Sequence, residues 1–490
     1  MSLIDLTIVE AKEKLLKKEI SVKELIEAHI KQAEKLKNLN AFVLETFEQA
    51  FNKAEVSQQK ITSGNPRLLE GIPVAVKDLF CTENVRTTAC SNILKNYVPQ
   101  YESTVSAKFF ENGAIMLGKT NMDDTAMGSS NLTSCFGPCE NPWRGQSNPN
   151  EKLVPGGSSG GSAIAVSSRM AMAALGSDTG GSIRQPASFT GSVGIKPSYG
   201  RCSRYGMIAY SSSLDQAGVF TRTVSDAALA LEAIMGSDEF DSTVLNNPVP
   251  RLSQIQYSEL KGLRVGIPKE YHNDMVAKEI TDLWQQGADW LRQHGAEIVE
   301  ISLPHTRYAL PVYYIVAPAE ASTNLARYDG VRYGHRTSET VQNINDLYEL
   351  TRAEGFGEEV QRRILVGTFV LSSEKISSYF QKAQKVRTLV IQDFKEAFSK
   401  VDVILTPTAL SAAFSMDAKL DPVSMYLNDV YTIPASLAGL PCVSIPATLS
   451  NNGLPLGLQL IAKHLDEETL IKASLALEKA ANFKYKPNTI

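Results

Sequence analysis

The sequence is poor in cysteine, histidine and tryptophan: its 490 residues include six cysteines, six histidines and three tryptophans. Dispersed cysteines without a secretion signal predict reduced thiols in a cytosol rather than a disulfide framework. Cys135 and Cys139 lie four positions apart, but no second Cys/His pair at zinc spacing lies nearby. We interpret both as structural and expect no metal in this chain.

The chain also lacks targeting and membrane segments. The N-terminal stretch "MSLIDLTIVEAKEKLLKKE" carries acidic residues among its lysines and has neither an apolar core nor a small-residue cleavage site, so it predicts no signal or transit peptide. The longest uncharged stretch, 430–462, is interrupted by four prolines and predicts short strands and turns instead of a membrane span. We expect a protein of the bacterial cytosol, with an organellar matrix less favoured, and no membrane partner.

Neither sign of charge is in excess. A net charge of −4 gives no reason to expect strong nucleic-acid binding through this chain alone, although a local basic patch stays open. Apolar residues at 43% and charged residues at 21% are typical of a globular protein with ample material for a core.

The order of predicted elements indicates the fold class. Capping-box residues at Thr7 and Ser21 precede apolar-periodic runs and predict helices over 8–16 and 22–36. Further predicted strands are 71–80, 114–121, 263–268, 296–302 and 402–407, and further predicted helices are 103–112, 163–175, 277–294 and a long helical region at 357–399. Strands alternating with helices predict an α/β fold with a large, twisted, mixed and mainly parallel sheet covered by helices on both faces.

The chain has no long polar linker and no repeat, which favours one compact domain over two or three. We expect a single domain over 1–490. Within it, residues 1–69 are expected to form a helical cover and residues 70–490 the catalytic α/β core.

Two glycine-serine clusters stand out in "PGGSSGGSAIAVSSRMAMAALGSDTGGSIRQP", residues 155–186. A P-loop would need a lysine after the glycines, and a dinucleotide fingerprint would need a preceding strand, so nucleotide binding here is disfavoured. Ser158 fits the G-x-S-x-G pattern of a nucleophile elbow, but Pro155 interrupts the strand that this motif requires. The five later histidines lie in unremarkable segments, so a Ser-His-Asp triad has weak support.

The second cluster has a stronger chemical interpretation. Two glycines before Ser182, at a predicted helix start, expose several backbone N–H groups, an arrangement that suits an anion or a developing oxyanion. The alternative is a plain turn. Lys77 is a candidate base because it ends an apolar strand, where burial would favour its neutral form. Its alternative is a pair with Asp78 or exposure to solvent.

These residues together resemble the amidase signature family. The resemblance covers nearly the whole chain and rests on "GIPVAVKD", "PGGSSGGSA" and "GSDTGGSIRQPASFTGSVGIKPSYGRCSRYG". It implies the fold predicted above and a Ser-cisSer-Lys triad, whose members are Ser182, Ser158 and Lys77. It further implies an oxyanion hole formed by the N–H groups of Thr179, Gly180, Gly181 and Ser182.

Stretches outside the catalytic core resemble one branch of that family, the glutaminase subunits of tRNA-dependent amidotransferases. Among them are "TNMDDTAMGSSN", "RYDGVRYGHR" and "MYLNDVYTIPASLAGLP". Here "NMDD" stands where Asp-Glu is common. The resemblance implies that glutamine is bound by Arg362 at its carboxylate and Asp429 at its ammonium, with Tyr313, Gly128 and Ser129 lining the site. Arg362 could instead lie on a solvated helix face, and Asp429 could be a cap or turn residue.

The same resemblance implies a heterotrimer with subunits B and C. The first of these partners would use ATP and Mg²⁺ and bind most of the misacylated tRNA, so no cofactor is expected in this chain. The expected reaction is glutamine hydrolysis that supplies ammonia to Glu-tRNA(Gln), with Asp-tRNA(Asn) left open. The alternative is a stand-alone amidase acting on another small amide. A non-catalytic scaffold is disfavoured because all three triad residues are present.

Overall fold

A computed structural model describes residues 2–272, 276–419 and 421–489. The strands, numbered in chain order, are β1 Phe42–Glu45, β2 Pro73–Lys77, β3 Ile115–Thr120, β4 Ala173–Asp178, β5 Val193–Lys196, β6 Gln216–Thr221, β7 Arg264–Pro268, β8 Glu297–Ile301, β9 Val403–Pro407, β10 Cys442–Leu449 and β11 Pro455–Ala462. In the described residues they form one sheet of 11 strands, ordered β1-β3-β2-β4-β6-β5-β10-β11-β9-β7-β8.

Helices from all parts of the chain cover this sheet. They are α1 Ile8–Leu16, α2 Val22–Lys35, α3 Phe47–Thr62, α4 Thr104–Glu111, α5 Gly160–Ser167, α6 Arg184–Thr190, α7 Val224–Ile234, α8 Lys278–Gln293, α9 Ala309–Asn324, α10 Ile344–Gly355, α11 Glu358–Leu371, α12 Phe380–Ala397, α13 Pro422–Tyr426, α14 Ile433–Leu437 and α15 Glu467–Ala481. Helix α3 packs on β3, α7 on β6 and α15 on β10. Among the described residues, no helix combines the length and apolarity needed to cross a membrane.

The predicted mixed α/β sheet is confirmed, but its expected parallel majority is wrong. Parallel pairing is confined to β3-β2-β4 and β8-β7-β9. The pairings that connect these two groups, through β6, β5, β10 and β11, are antiparallel. One physical reason lies in the turn at Asn451–Gly453, where Gly453 has φ +75° and reverses the chain directly from β10 into β11 without a crossover helix.

Residues 1–69 begin as expected. Thr7 and Ser21 form complete capping boxes with Glu10 and Glu24, and α1 spans its predicted range. This region is more than a helical cover, however, because β1 pairs antiparallel with β3 at one edge of the sheet. The outer limits of the predicted domain, residues 1 and 490, lie outside the described residues.

The predicted helix over 163–175 is wrong in its second half. Helix α5 ends at Ser167, and the chain turns into β4 at Ala173. Residues 173–175 pair with both β2 and β6 in the interior of the sheet, and all three are fully buried. Small residues fit either structure, and here the tertiary position of the strand overrides their helix propensity.

The sheet brings the two halves of the predicted site together. Lys77 is the last residue of β2 and Asp178 the last residue of β4, and these strands are parallel neighbours. Their carboxyl ends therefore lie at one edge of the sheet, where α/β proteins place their ligand sites. The first glycine-serine cluster leads into α5, and the second follows β4 at this same edge.

Candidate active site

Lys77 lies at the centre of a buried serine cluster. Its side chain is completely buried. The Nζ atom donates hydrogen bonds to the hydroxyl oxygens of Ser158 at 2.8 Å, Ser159 at 2.7 Å and Ser177 at 2.7 Å. Three neutral acceptors satisfy the amino group without an adjacent carboxylate, so the predicted contact between Lys77 and Ser158 is present in the structure.

Burial lowers the pKa of Lys77 to about 7, and the attraction of Asp123, Asp178 and Asp215 opposes that shift only in part. A substantial share of the side chain is therefore unprotonated near neutral pH. An unprotonated amine hydrogen-bonded to a serine can accept the proton of its hydroxyl, which is what a general base must do.

Ser158 is held in an unusual backbone. The Gly157–Ser158 peptide bond is cis, as the family resemblance implied. A Cβ atom on Gly157 would lie 2.1 Å from Asp123 Oδ2, so only glycine fits there. The backbone N–H of Asp123 donates to the carbonyl of Ser158 at 3.2 Å. Asp123 thus packs against both residues of this peptide.

Ser182 lies on the segment that follows β4. Its carbonyl oxygen accepts the N–H of Ser159 at 3.3 Å, which directly joins the two glycine-serine clusters. Ser182 keeps 8% of its surface exposed, whereas Ser158 keeps none. A substrate can reach the first hydroxyl and not the second, which agrees with a nucleophile at Ser182 and a relay at Ser158.

The residues before Ser182 form a constrained loop. The Thr432 hydroxyl donates to the carbonyl of Gly180 at 2.6 Å. Because C=O and N–H point in opposite directions across a trans peptide, the N–H of Gly181 faces away from Thr432. Gly181 has φ +150°, and a Cβ on Gly180 would lie 2.8 Å from the ring of Tyr313. This geometry is compatible with an oxyanion hole.

Two buried carboxylates anchor the ends of that loop. Asp178 accepts two hydrogen bonds of 2.9 Å from Arg184, and this guanidinium holds the pKa of Asp178 below its ordinary value although burial alone would raise it. Asp215 accepts the hydroxyl proton of Thr179 at 2.6 Å. Burial raises the pKa of Asp215 to about 6. The loop is therefore fixed before any ligand binds.

A cavity of about 530 Å³ opens on the outer side of this region, and Gly128, Ser129 and Arg362 are among its lining residues. Arg362 lies on α11 with its side chain 48% exposed, and its Nη1 donates to the carboxylate of Glu359. The arginine thus combines both interpretations of the sequence, being half solvated and also part of a cavity wall.

Asp429 is the most unusual charge of the site. The residue is 8% exposed, and its Oδ1 atom has no hydrogen-bond partner among the described residues. Burial, together with repulsion from Asp178, raises the pKa of Asp429 to about 8, although Arg363 opposes the shift. Its Oδ1 lies 3.1 Å from the position that a Cβ of Gly181 would take. A cationic ligand group here would pair with this carboxylate.

The later histidines are engaged elsewhere: His305, for example, binds Asp393 at 2.7 Å. All six cysteines are free thiols. In the described part of the chain, no group of three or more His, Cys, Asp or Glu side chains is arranged to hold a metal ion.

The sequence interpretation missed several contributors, including Ser177, Asp215, Thr432 and Arg363. Only Arg363 carried a usable signal, since it follows Glu359 by four positions on a predicted helix. The other three are distant in sequence from the partners they contact.

Comparisons with known proteins agree with this geometry. A family model described as Amidase matches residues 24–471. Proteins named as the A subunit of glutamyl-tRNA(Gln) amidotransferase are similar to this chain over 485 residues each. The one from Rickettsia bellii (strain OSU 85-389) is 55% identical and the alignment covers 98% of both chains; the one from Gluconobacter oxydans (strain 621H) is 57% identical, with 99% of this chain and 97% of that one covered.

Among solved structures, the crystal structure of the A subunit of glutamyl-tRNA(Gln) amidotransferase from Thermotoga maritima superposes with a TM-score of 0.79. It is 38% identical, and the alignment covers 100% of this chain and 97% of that one.

Proposed function

The chain belongs to the amidase family, and on that premise we propose that it is the glutamine-hydrolysing subunit of a tRNA-dependent amidotransferase. The observation that carries the proposal is the identity of 55% and 57% with the A subunits of two glutamyl-tRNA(Gln) amidotransferases over almost the full length of both chains. The ammonia released from glutamine amidates misacylated Glu-tRNA(Gln). Whether Asp-tRNA(Asn) is a second acceptor depends on the tRNA-binding partner.

The chemistry follows from the buried cluster. Neutral Lys77 accepts the hydroxyl proton of Ser158, and Ser158 takes the proton of Ser182. The Ser182 Oγ attacks the side-chain amide carbon of glutamine. The carbonyl oxygen becomes an oxyanion, stabilised by the N–H groups of the loop that contains Gly180 and Gly181.

When the tetrahedral intermediate collapses, the C–N bond breaks and the relay returns its proton to the leaving ammonia. Water then attacks the glutamyl ester on Ser182, activated by the same relay, and glutamate is released. Every proton in this sequence passes through groups of this chain, so hydrolysis needs no metal or cofactor here.

Recognition of glutamine uses the two charges of the outer region. Arg362 offers a planar fork of N–H donors to the α-carboxylate. Asp429 offers a buried acceptor to the α-ammonium. Tyr313, Gly128 and Ser129 complete the binding site. A simple uncharged amide would leave the Asp429 carboxylate without a partner, which disfavours the alternative of a stand-alone amidase.

The remaining steps require partners. The proposed assembly is a heterotrimer with subunits B and C in the bacterial cytoplasm. The larger of these partners binds the misacylated tRNA and uses ATP and Mg²⁺ to activate its carboxyl group, and the ammonia reaches it from this chain. The net charge of −4 agrees with a minor role for this chain in tRNA binding.

A substrate comparison tests the proposal. The full-length chain, co-expressed with its partner subunits, is assayed for ammonia release from glutamine and from simple aliphatic and aryl amides. We expect glutamine to be strongly preferred, and Arg362→Ala to raise the KM for glutamine about 10- to 100-fold through loss of a charge-assisted interaction. A preference for simple amides that Arg362→Ala does not alter would refute the glutaminase assignment.

Arg292→Ala is the matched control. Arg292 is 54% exposed and pairs with a carboxylate three positions earlier on its helix, as Arg362 does. It lies on α8 rather than α11. Its substitution is expected to leave the KM unchanged.

A further inference from the structure

Arg363 is a buried arginine beside the proposed carboxylate-binding residue. It is 5% exposed, and its guanidinium lies over the rings of Tyr210, Tyr314 and Tyr426 at 5.5, 5.5 and 5.6 Å. Its Nη1 also donates to the Tyr210 hydroxyl at 2.9 Å. Three rings and a hydroxyl fix this planar group in one orientation.

The fixed guanidinium controls a single carboxylate. Arg363 Nε donates to Glu359 Oε1 at 2.8 Å, and the Tyr426 hydroxyl donates to the same oxygen at 3.0 Å. Arg362 is left with the other oxygen, Oε2. Two guanidinium groups thus share one carboxylate, and the cluster carries one uncompensated positive charge.

The position of that charge matters because Arg362 and Arg363 both line the cavity, but only Arg362 is substantially exposed. If Glu359 Oε1 were free, Glu359 could take Arg362 in a two-point fork, the geometry that an arginine and a carboxylate favour. The cavity wall would then be neutral, and the N–H donors of Arg362 would be occupied.

We propose that Arg363 is a positioning residue for substrate specificity: by holding Glu359 Oε1, it keeps Arg362 available for the carboxylate of the substrate. Its effect is exerted on binding rather than on the chemical step. The inference rests on the proposed function, since it takes glutamine as the substrate whose carboxylate Arg362 binds.

A double-mutant cycle tests it. Steady-state glutamine hydrolysis is measured for the full-length chain with its partner subunits, for Arg363→Met, and for Arg363→Met combined with Glu359→Gln. We expect Arg363→Met to raise the KM for glutamine about tenfold, the loss of one charge-assisted contact, with a much smaller change in kcat. Adding Glu359→Gln removes the competing carboxylate and is expected to restore most of the affinity.

This rescue separates positioning from general damage, because two harmful core substitutions would add their effects rather than cancel. Arg363→Lys, which keeps the charge and loses the fork, is expected to give an intermediate KM and decides the matter if Arg363→Met does not fold. Arg352→Met is the matched control: Arg352 also lies over an aromatic ring, at 5.0 Å from Phe356, and its loss is expected to leave the KM unchanged.

The outcomes are distinguishable. An unchanged KM in the folded Arg363 variants, or a further rise on adding Glu359→Gln, would overturn this inference while the unmodified chain still hydrolyses glutamine. Absence of glutamine hydrolysis by the unmodified assembly would instead count against the proposed function.

Discussion

The two sides of the site are built differently. The inner side, formed by Lys77 and the two glycine-serine clusters, is almost completely buried, and its polar groups already have partners: Lys77 alone donates three hydrogen bonds. The outer side, formed by α11 and residues 422–432, has incomplete electrostatics. Arg362 is half exposed, and Asp429 is buried with an oxygen that has no partner among the described residues.

This difference teaches where preorganisation is placed. The inner side uses a desolvated lysine, hydroxyls and backbone groups that need no rearrangement when charge develops on the substrate. The outer side is completed only by a ligand that carries both a carboxylate and an ammonium. Substitutions on the inner side should therefore alter mainly kcat, and substitutions on the outer side mainly KM.

The largest expected effect is on the inner side. Ser182→Ala removes the nucleophile and is expected to lower glutamine hydrolysis by ~10⁴-fold or more, measured as ammonia or glutamate release. The same assembly supplied with free ammonia should still amidate its tRNA. Ser188→Ala, a buried serine on the neighbouring helix α6, is the control. Retained hydrolysis in Ser182→Ala would disprove the nucleophile assignment.

A smaller effect of a different kind is expected on the outer side. Asp429→Asn keeps the shape of the side chain but loses the charge, so the KM for glutamine should rise about 10- to 100-fold. Equal losses in kcat and kcat/KM would contradict the division between the two sides.

The same substitution should also stabilise the free protein above pH 4. The folded-state pKa of Asp429 is raised to about 8, so the folded state retains a proton that the unfolded state loses, and stability falls as pH rises from about 4 to 8. Thermal unfolding at pH 5 and pH 8 checks this sign: the gain from Asp429→Asn should be larger at pH 8.

The smallest expected effect is a pH dependence of the inner side. Lys77 must be neutral to act as base, and its pKa is lowered to about 7. The kcat at saturating glutamine should therefore rise about tenfold per pH unit below pH 7 and level off above it. The reaction supplied with free ammonia should lack this limb. A kcat that is flat from pH 5.5 to pH 8 would argue against Lys77 as the base.

Much of the fold was predictable from local patterns. Helix α1 has the predicted bounds, and strand β2 lies inside its predicted range, because capping boxes and apolar runs are short-range signals. The antiparallel centre of the sheet was not predicted, nor was the change from helix to strand before Ala173. Both depend on which strands become neighbours, and pairing partners here are separated by as much as several hundred residues, as for β5 and β10.

For the site, the sequence by itself determined the reactive groups: a lysine at the end of an apolar strand, two serines among glycines, and an arginine and an aspartate far downstream. The tertiary structure alone decided what those groups can do. It removes Lys77 from water, which lowers its pKa to about 7, and it buries Asp429 with one oxygen left unpaired among the described residues. Desolvation and contact depend on residues from the whole chain, so no local pattern encodes them.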